Sequence, residues 1–262
     1  MFDSALTVAD FALCDQLELT PVGQVMGNSI YQMGYQSAWG EVSGGYDPTG
    51  TFMYELTVYS QALNEVRSRA LRRLAEEAAR RDADAVVGVS TRAGESNLES
   101  GSVALEHTVL GTAVRRAQSG RRQPVLSELK VSEYAQLLRA GFEPAGIVAW
   151  TSVFFAGYSF GMGGGLMMGG TQNFELRDFT QAFYEARETV MGRLSSQAAT
   201  LGADGIVGMR IDHTASRREI GEGFGAGRRT GLLVTFNAVG TAIRQSSATA
   251  VQTPKPVLDL YA

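Results

Sequence analysis

Four charged residues occur at matched positions in the two halves of this 262-residue chain: Glu55 and Glu175, Glu65 and Glu185, Arg67 and Arg187, Asp84 and Asp204. Carboxylates held beside an arginine could move protons as a general acid and base. The spacing argues against that use. Glu65 and Arg67 stand two apart in a stretch of helical periodicity, and residues i and i+2 of a helix do not face each other. The simpler reading is structural, with each arginine bonded to a carboxylate or to loop carbonyls and each aspartate tying a turn into a strand. The sequence has no Ser/His/Asp arrangement and no Walker loop. Gly161-x-Gly163-x-x-Leu166 lacks the last glycine of a dinucleotide fingerprint. The chain reads as a non-enzyme that needs no cofactor.

Soft metals want clustered thiolates or imidazoles. Here the candidates are Cys14, His107 and His213, and none has a like partner in the other half: Cys14 aligns with Leu137, His107 with Phe236, His213 with Ala93. Cys14 on an apolar helix face reads as a small core residue, and His107 as a satisfied, partly buried histidine. Asp212 and His213 form a weak metal candidate, because adjacent residues of a continuing strand point to opposite faces. No metal site is expected.

The matched charges belong to a duplication. Ser4-x-Leu6-x-Val8-x-x-Phe11-Ala12 and Pro21-Val22-Gly23 return as Ser127-x-Leu129-x-Val131-x-x-Tyr134-Ala135 and Pro144-Ala145-Gly146. Gly111-Thr112-Ala113-Val114-Arg115 returns as Gly240-Thr241-Ala242-Ile243-Arg244. Copies of roughly 110–120 residues make two ordinary domains. The expected organisation is a first repeat over 1–116, a linker over 117–126, a second repeat over 127–245 and a flexible tail over 246–262.

Each copy opens with a short helix, capped by Ser4 or Ser127, with Leu6, Val8 and Phe11 or their partners on one face. A strand follows the Pro-x-Gly turn, then a long loop and a long helix near 55–80 or 175–200. Tyr59, Ala62, Val66, Ala70 and Leu74 mark the first long helix, and Phe179, Ala182, Ala186, Val190 and Leu194 the second. Gly202 stands where a helix stop belongs, and Asp82 occupies the same place less comfortably. Two more strands complete a two-layer α+β unit of order β-α-β-β. One helix leaves the second face and both edges of such a sheet open. Yet Val86-Val87 and Ile206-Val207 read as strands buried on both sides. A neighbouring repeat, of this chain or another, must cover them.

The stretches Arg67-x-x-x-Leu71-x-x-Leu74 before Ala83-Asp84-Ala85-Val86-Val87-Gly88, and Arg187-x-x-x-Met191-x-x-Leu194 before Gly202-Ala203-Asp204-Gly205-Ile206-Val207-Gly208, resemble the YbjQ-like heavy-metal-binding domain family. The closing Gly-Thr-Ala-Val/Ile does too. The resemblance covers two tandem copies, all but the linker and the tail. It implies dodecin-like βαββ domains that assemble into closed rings, typically pentamers. The expected partner is therefore the chain itself, with five chains forming two stacked rings, one from each repeat.

From Pro144 to Phe174 there is no charged residue, but Gly157, Gly161, Gly163, Gly164, Gly165, Gly169 and Gly170 weigh against a spanning helix. A strand followed by an apolar loop fits better. Phe154, Phe155, Tyr158, Phe160, Met162, Leu166, Met167 and Met168 make that loop an adaptable apolar surface. It lines a ring interface or opening, or it binds a partner, a membrane or an apolar ligand. The tail is either a free terminus or a docking peptide for a protein partner, anchored by Val257, Leu258, Leu260 and Tyr261.

A net charge of −4 gives no reason to expect a nucleic-acid partner. One cysteine and an N-terminus without an apolar leader fit a bacterial-type cytoplasm. The leading expectation is a non-enzymatic, ring-forming scaffold or binding protein. The alternatives are a metal- or small-molecule-binding protein with sites between subunits, or a membrane-associated assembly using the Gly/Met-rich loop.

Overall fold

The computed structural model describes residues 6–34, 53–98, 102–116, 123–157, 177–220 and 229–246. The first repeat comprises α1 (Val8–Gln16), β1 (Leu19–Met33), β2 (Met53–Glu55), α2 (Thr57–Arg80), β3 (Ala85–Asn97) and β4 (Val103–Arg116). After β5 (Val125–Leu126) come α3 (Val131–Arg139), β6 (Phe142–Gly157), α4 (Arg177–Thr200), β7 (Gly205–Ile220) and β8 (Arg229–Gln245). The two long helices and the strands around them agree with the periodicity. The βαββ unit occurs twice, as sheets of order β1-β4-β3-β5 and β2-β6-β8-β7.

Those sheet orders hold an exchange between repeats. β2 precedes α2 in the first repeat but pairs with Phe154–Ala156 of β6 in the second sheet. Conversely β5 pairs in parallel with Ala85 and Val86 of β3 in the first sheet. The Pro-x-Gly signature is a bulge inside β1 and β6, not a turn ahead of them: the register with β4 and β8 shifts between Pro21 and Gly23 and between Pro144 and Gly146. Such bulges bend and twist the strand.

α2 packs on β1 and β4 of its own sheet and also on β6 of the other. Ala70, Leu74 and Ala78 meet Val25, Val86 and Val109 on one side. Leu56, Tyr59, Ala62 and Val66 meet Val153, Phe155 and Leu233 on the other. α4 covers the far face of the second sheet, where Ala182, Ala186, Val190 and Leu194 pack on Val148, Phe154 and Phe236. The second face of the first sheet takes α1 and α3, with Cys14, Leu129, Val131 and Tyr134 against Ala85, Val87 and Val114. Val86 and Val87 are thus buried on opposite faces of one strand.

Both long helices end alike. The N–H groups of Asp82 and Ala83 donate to Ala79 and Ala78, and those of Gly202 and Ala203 donate to Ala199 and Ala198. Asp82 (φ 52°) and Gly202 (φ 63°) both take the left-handed conformation of this cap. The short helices start later than expected. Ser4 lies outside the described residues, and Thr7 caps α1, its Oγ1 accepting from Asp10 N at 3.1 Å. Ser127 is no cap: its N–H donates to Val86 at 2.9 Å along the edge of β3, and α3 begins only at Val131. A chain paired as a strand through Leu129 cannot yet coil. Val8 and Phe11 also lie outside the buried face of α1, which carries Cys14 with Leu13 and Leu17.

Candidate functional site

The densest set of buried polar groups sits where the repeats meet. Arg67 reaches from α2 into the second repeat. Its Nη2 donates to Thr151 Oγ1 on β6 at 2.5 Å and to Asn237 Oδ1 on β8 at 2.6 Å, and its Nη1 to Asn64 Oδ1 at 3.3 Å. Asn64, one helical turn earlier, holds the free edge of β6 in both directions. It donates to the Thr151 carbonyl at 2.7 Å and accepts from the Thr151 N–H at 2.9 Å. Ser60 Oγ accepts from Val153 N, and Leu56 N donates to Val153 O. Two side chains and one backbone amide of the first repeat thereby continue, at Thr151 and Val153, the edge pairing that β2 makes with β6 at Phe154–Ala156. Such pairing closes an edge that would otherwise recruit another chain.

Arg67 thus bonds neutral oxygens, not the carboxylate or loop carbonyls expected of it. Burial lowers its pKa to about 10, opposed by the charge of Glu128, so it stays protonated at neutral pH. His107 on β4 is buried near the same guanidinium, and its Nε2 has no hydrogen-bond partner. Burial, then Arg67, lowers its pKa to about 4. The expected satisfied histidine is buried but unsatisfied at that nitrogen. Burial pushes the Glu128 carboxyl up, with its ion-pair partner Arg210 and then Arg67 opposing.

A cleft of about 800 Å³ opens beside this joint, lined by Tyr31, Gln61, Asn64, Glu65, Ser68 and Trp150 among others. Glu65 pairs with Arg69 at 2.6 Å. Arg67 is occupied by its three acceptors, so the cleft holds no acid–base pair built from these two groups. Glu55 accepts from Ser152 Oγ at 2.5 Å, and Glu185 from Gln181 at 3.1 Å. Arg187 lies exposed on α4, and Glu175 lies outside the described residues. Asp84 and Asp204 do tie strand ends, accepting from Arg116 N at 2.8 Å and Gln245 N at 2.7 Å.

The soft-ligand candidates stay apart. Burial and then Asp10 push the Cys14 thiol up, and the side chain sits among apolar residues. His213 is set edge-on to Phe183 at 5.3 Å and stacked on Phe236 at 6.5 Å, while Asp212, the next residue of the same strand, pairs across to Asn237. Among the described residues no three His, Cys, Asp or Glu side chains gather as a metal site. A protonated arginine beside His107 further disfavours a cation there. These residues do not fit a soft metal ion.

Phe154 and Phe155 lie inside the chain's own core, on the α4 and α2 sides of β6. Tyr158, Phe160, Met162, Leu166, Met167 and Met168, and the tail residues Val257, Leu258, Leu260 and Tyr261, lie outside the described residues. Among the described residues no helix is long and apolar enough to cross a membrane. Sequence reasoning missed Asn64, Thr151 and Asn237. Asn64 aligns with Tyr184. Thr151 and Asn237, opposite each other on β6 and β8, match Asn28 and Thr108, the same pair exchanged between β1 and β4 and hydrogen-bonded at 2.6 Å. That repeated polar pair is the signal that could have found them.

A tandem pair of βαββ units joined by a buried polar network defines the class. The chain belongs to the family described as "Putative heavy-metal-binding", whose sequence profile matches residues 51–117 and 158–246, once in each repeat. It is also 33% identical to an encapsulin nanocompartment protein of Mycobacterium tuberculosis (strain ATCC 25618 / H37Rv), over 99% of this chain and 92% of that one.

Proposed function

We propose that this chain is a non-enzymatic, self-assembling component of a protein nanocompartment, its copies joined head to tail. The observation that carries the reading is a mismatch in burial between equivalent residues. Where the second repeat packs on the first, Val153 is 0% exposed and Val131 1%. Their equivalents in the first repeat, Ile30 and Val8, are 67% and 89% exposed. At the other end of the chain, α4 presents Tyr184, 63% exposed, at the position where Asn64 of α2 grips β6. Among the described residues nothing covers the first repeat as the first covers the second, and nothing follows on α4 as the second repeat follows on α2. A second copy supplies both, since α4 of one chain fits β1 of the next as α2 fits β6, and the open face of β7 and β8 takes the next chain's α1 as β3 and β4 take α3. An interface of this heterologous kind closes into a ring or extends as a filament.

The relative named for a nanocompartment supports the same reading, as does a joint whose charged groups are spent on holding strands. Repeating the intrachain contact sets the repeats side by side around one ring. Five chains in two stacked rings, one from each repeat, is the second arrangement, supported by the family's expected pentamers. In either, the Gly/Met-rich loop is an attachment surface. The domain limits we assign remain 1–116 and 127–245, and the location is the cytoplasm.

Ile30→Glu with Val8→Asp places carboxylates on the proposed face while leaving each repeat's core untouched. Size-exclusion chromatography with light scattering should show the double variant as smaller species than the wild type, with an unchanged circular dichroism spectrum. Equal masses would refute the head-to-tail contact.

A further inference from the structure

β7 runs for 16 residues as the outer strand of the second sheet, with no strand on its far side among the described residues. Its equivalent β3 is covered. There Val125 N donates to Asp84 O at 3.0 Å and Ser127 N to Val86 O at 2.9 Å. In return Gly88 N donates to Leu129 O and Val89 N to Ser127 O. The bulge that turns the Gly88 amide outward has φ +61°, and Gly208 repeats it at the same φ. β7 is therefore shaped for the same visitor. Val89, under the segment on β3, is 2% exposed, whereas Met209 at the same place on β7 is 39% exposed. Val86 is fully buried and Ile206 only partly so.

The segment on β3 reads Pro124-Val125-Leu126-Ser127-Glu128-Leu129. The same opening returns at the end of the chain as Pro256-Val257-Leu258-Asp259-Leu260-Tyr261. Eight residues (117–124) separate β4 from β5, and eleven (246–256) separate β8 from Val257. Both chains leave from the same point, since Arg116 N and Gln245 N are held by Asp84 and Asp204. Eight residues suffice in the first repeat, so eleven reach in the second.

We propose that Pro256–Tyr261 adds to the free edge of β7 in its own chain as a short parallel strand, Val257 opposite Gly205 and Leu258 opposite Ile206. The pairing satisfies the outward amides of Gly208 and Met209, as strand addition does at any open edge. Leu258 takes the place of Leu126, which packs on the cluster holding Val86 and Val89. The inference stands on β5 and the repeated Pro-Val-Leu.

Two measurements test it. Hydrogen exchange read by NMR or by fragment mass spectrometry should show the Gly208 and Met209 amides at least about tenfold slower in the full chain than in a chain ending at Thr253. Equal exchange in the two overturns the proposal. In a Cys14→Ala background, Gly205→Cys with Val257→Cys should form an intrachain disulfide under mild oxidation. Ala85→Cys with Val125→Cys is the matching control, because that pairing is in the structure. A control that closes while the test pair stays open overturns the strand. A disulfide that joins isotopically distinct chains overturns the assignment to the same chain.

Discussion

Arg67 and Asn237 stand 170 positions apart and meet at 2.6 Å, a first-repeat guanidinium on a second-repeat amide oxygen. Arg187 holds the equivalent place on α4 and is exposed. One motif position therefore has two physical roles, set by whether another repeat lies over it. Arg67→Met should cost about 3 kcal/mol in denaturant unfolding, because it removes the donor to Thr151 and Asn237 inside the joint and a positive charge that favours the Glu128 carboxylate. Arg187→Met should stay within about 0.5 kcal/mol in the isolated chain. Equal costs would mean that the joint does not hold the repeats together.

His107 should make the protein sensitive to acid. Its pKa falls from 6.5 to about 4 on folding, so the unfolded chain binds the proton more tightly. This contribution to stability is complete above the unfolded pKa and is lost as pH falls through the folded one. The loss approaches about 3 kcal/mol below pH 4. His107→Phe, the residue its equivalent Phe236 already is, should flatten the stability profile between pH 7 and 4. It should also raise stability at pH 7 by about 1 kcal/mol, since it removes an unpaired buried nitrogen. An unchanged acid limb in denaturant titrations would count against the assignment.

Asp82 adopts the left-handed cap conformation that Gly202 adopts in the other copy. Asp82→Gly should therefore stabilise the chain, by about 0.5–1 kcal/mol, even though glycine loses more entropy on folding. A thermal midpoint that falls would show that the Asp82 side chain, 3.8 Å from Arg115, outweighs the strain.

Phe155 was legible in the sequence as apolar loop surface, yet it is fully buried between β6 and α2. Phe155→Ala should cost about 3–5 kcal/mol, a core truncation and not an interface loss. Urea unfolding of the isolated chain reads it directly, and a cost under 1 kcal/mol would return Phe155 to the surface.

How far the sequence could be read follows from such cases. The duplication, the long helices, the Asp–strand ties and the helix stops are local or paired signals, and each copy confirms the other. The exchange of β2 and β5 between sheets is not local. Nothing in Met53-Tyr54-Glu55 says which sheet edge it will join, because its partner Phe154–Ala156 is about a hundred residues away and pairs through backbone alone. Arg67 was singled out by its repetition but assigned the wrong partners for the same reason. Asn64 has no like residue in the other repeat to announce it, and Thr151 and Asn237 are announced only as an exchanged pair, Asn28 and Thr108. Burial of Val131 beside exposure of Val8 is likewise invisible in two helices that open alike, each with Val, an acid two residues on, an aromatic and Ala, since it depends on what precedes each one in space.

The central claim is that exposed surfaces of the first and second repeats complete one another between copies. Native mass spectrometry of the untagged protein tests it most directly. The account predicts a discrete assembly at an integer multiple of 28.1 kDa that dissociates when Ile30→Glu and Val8→Asp are introduced. A wild-type protein that flies and sediments only as a 28.1 kDa monomer would contradict it.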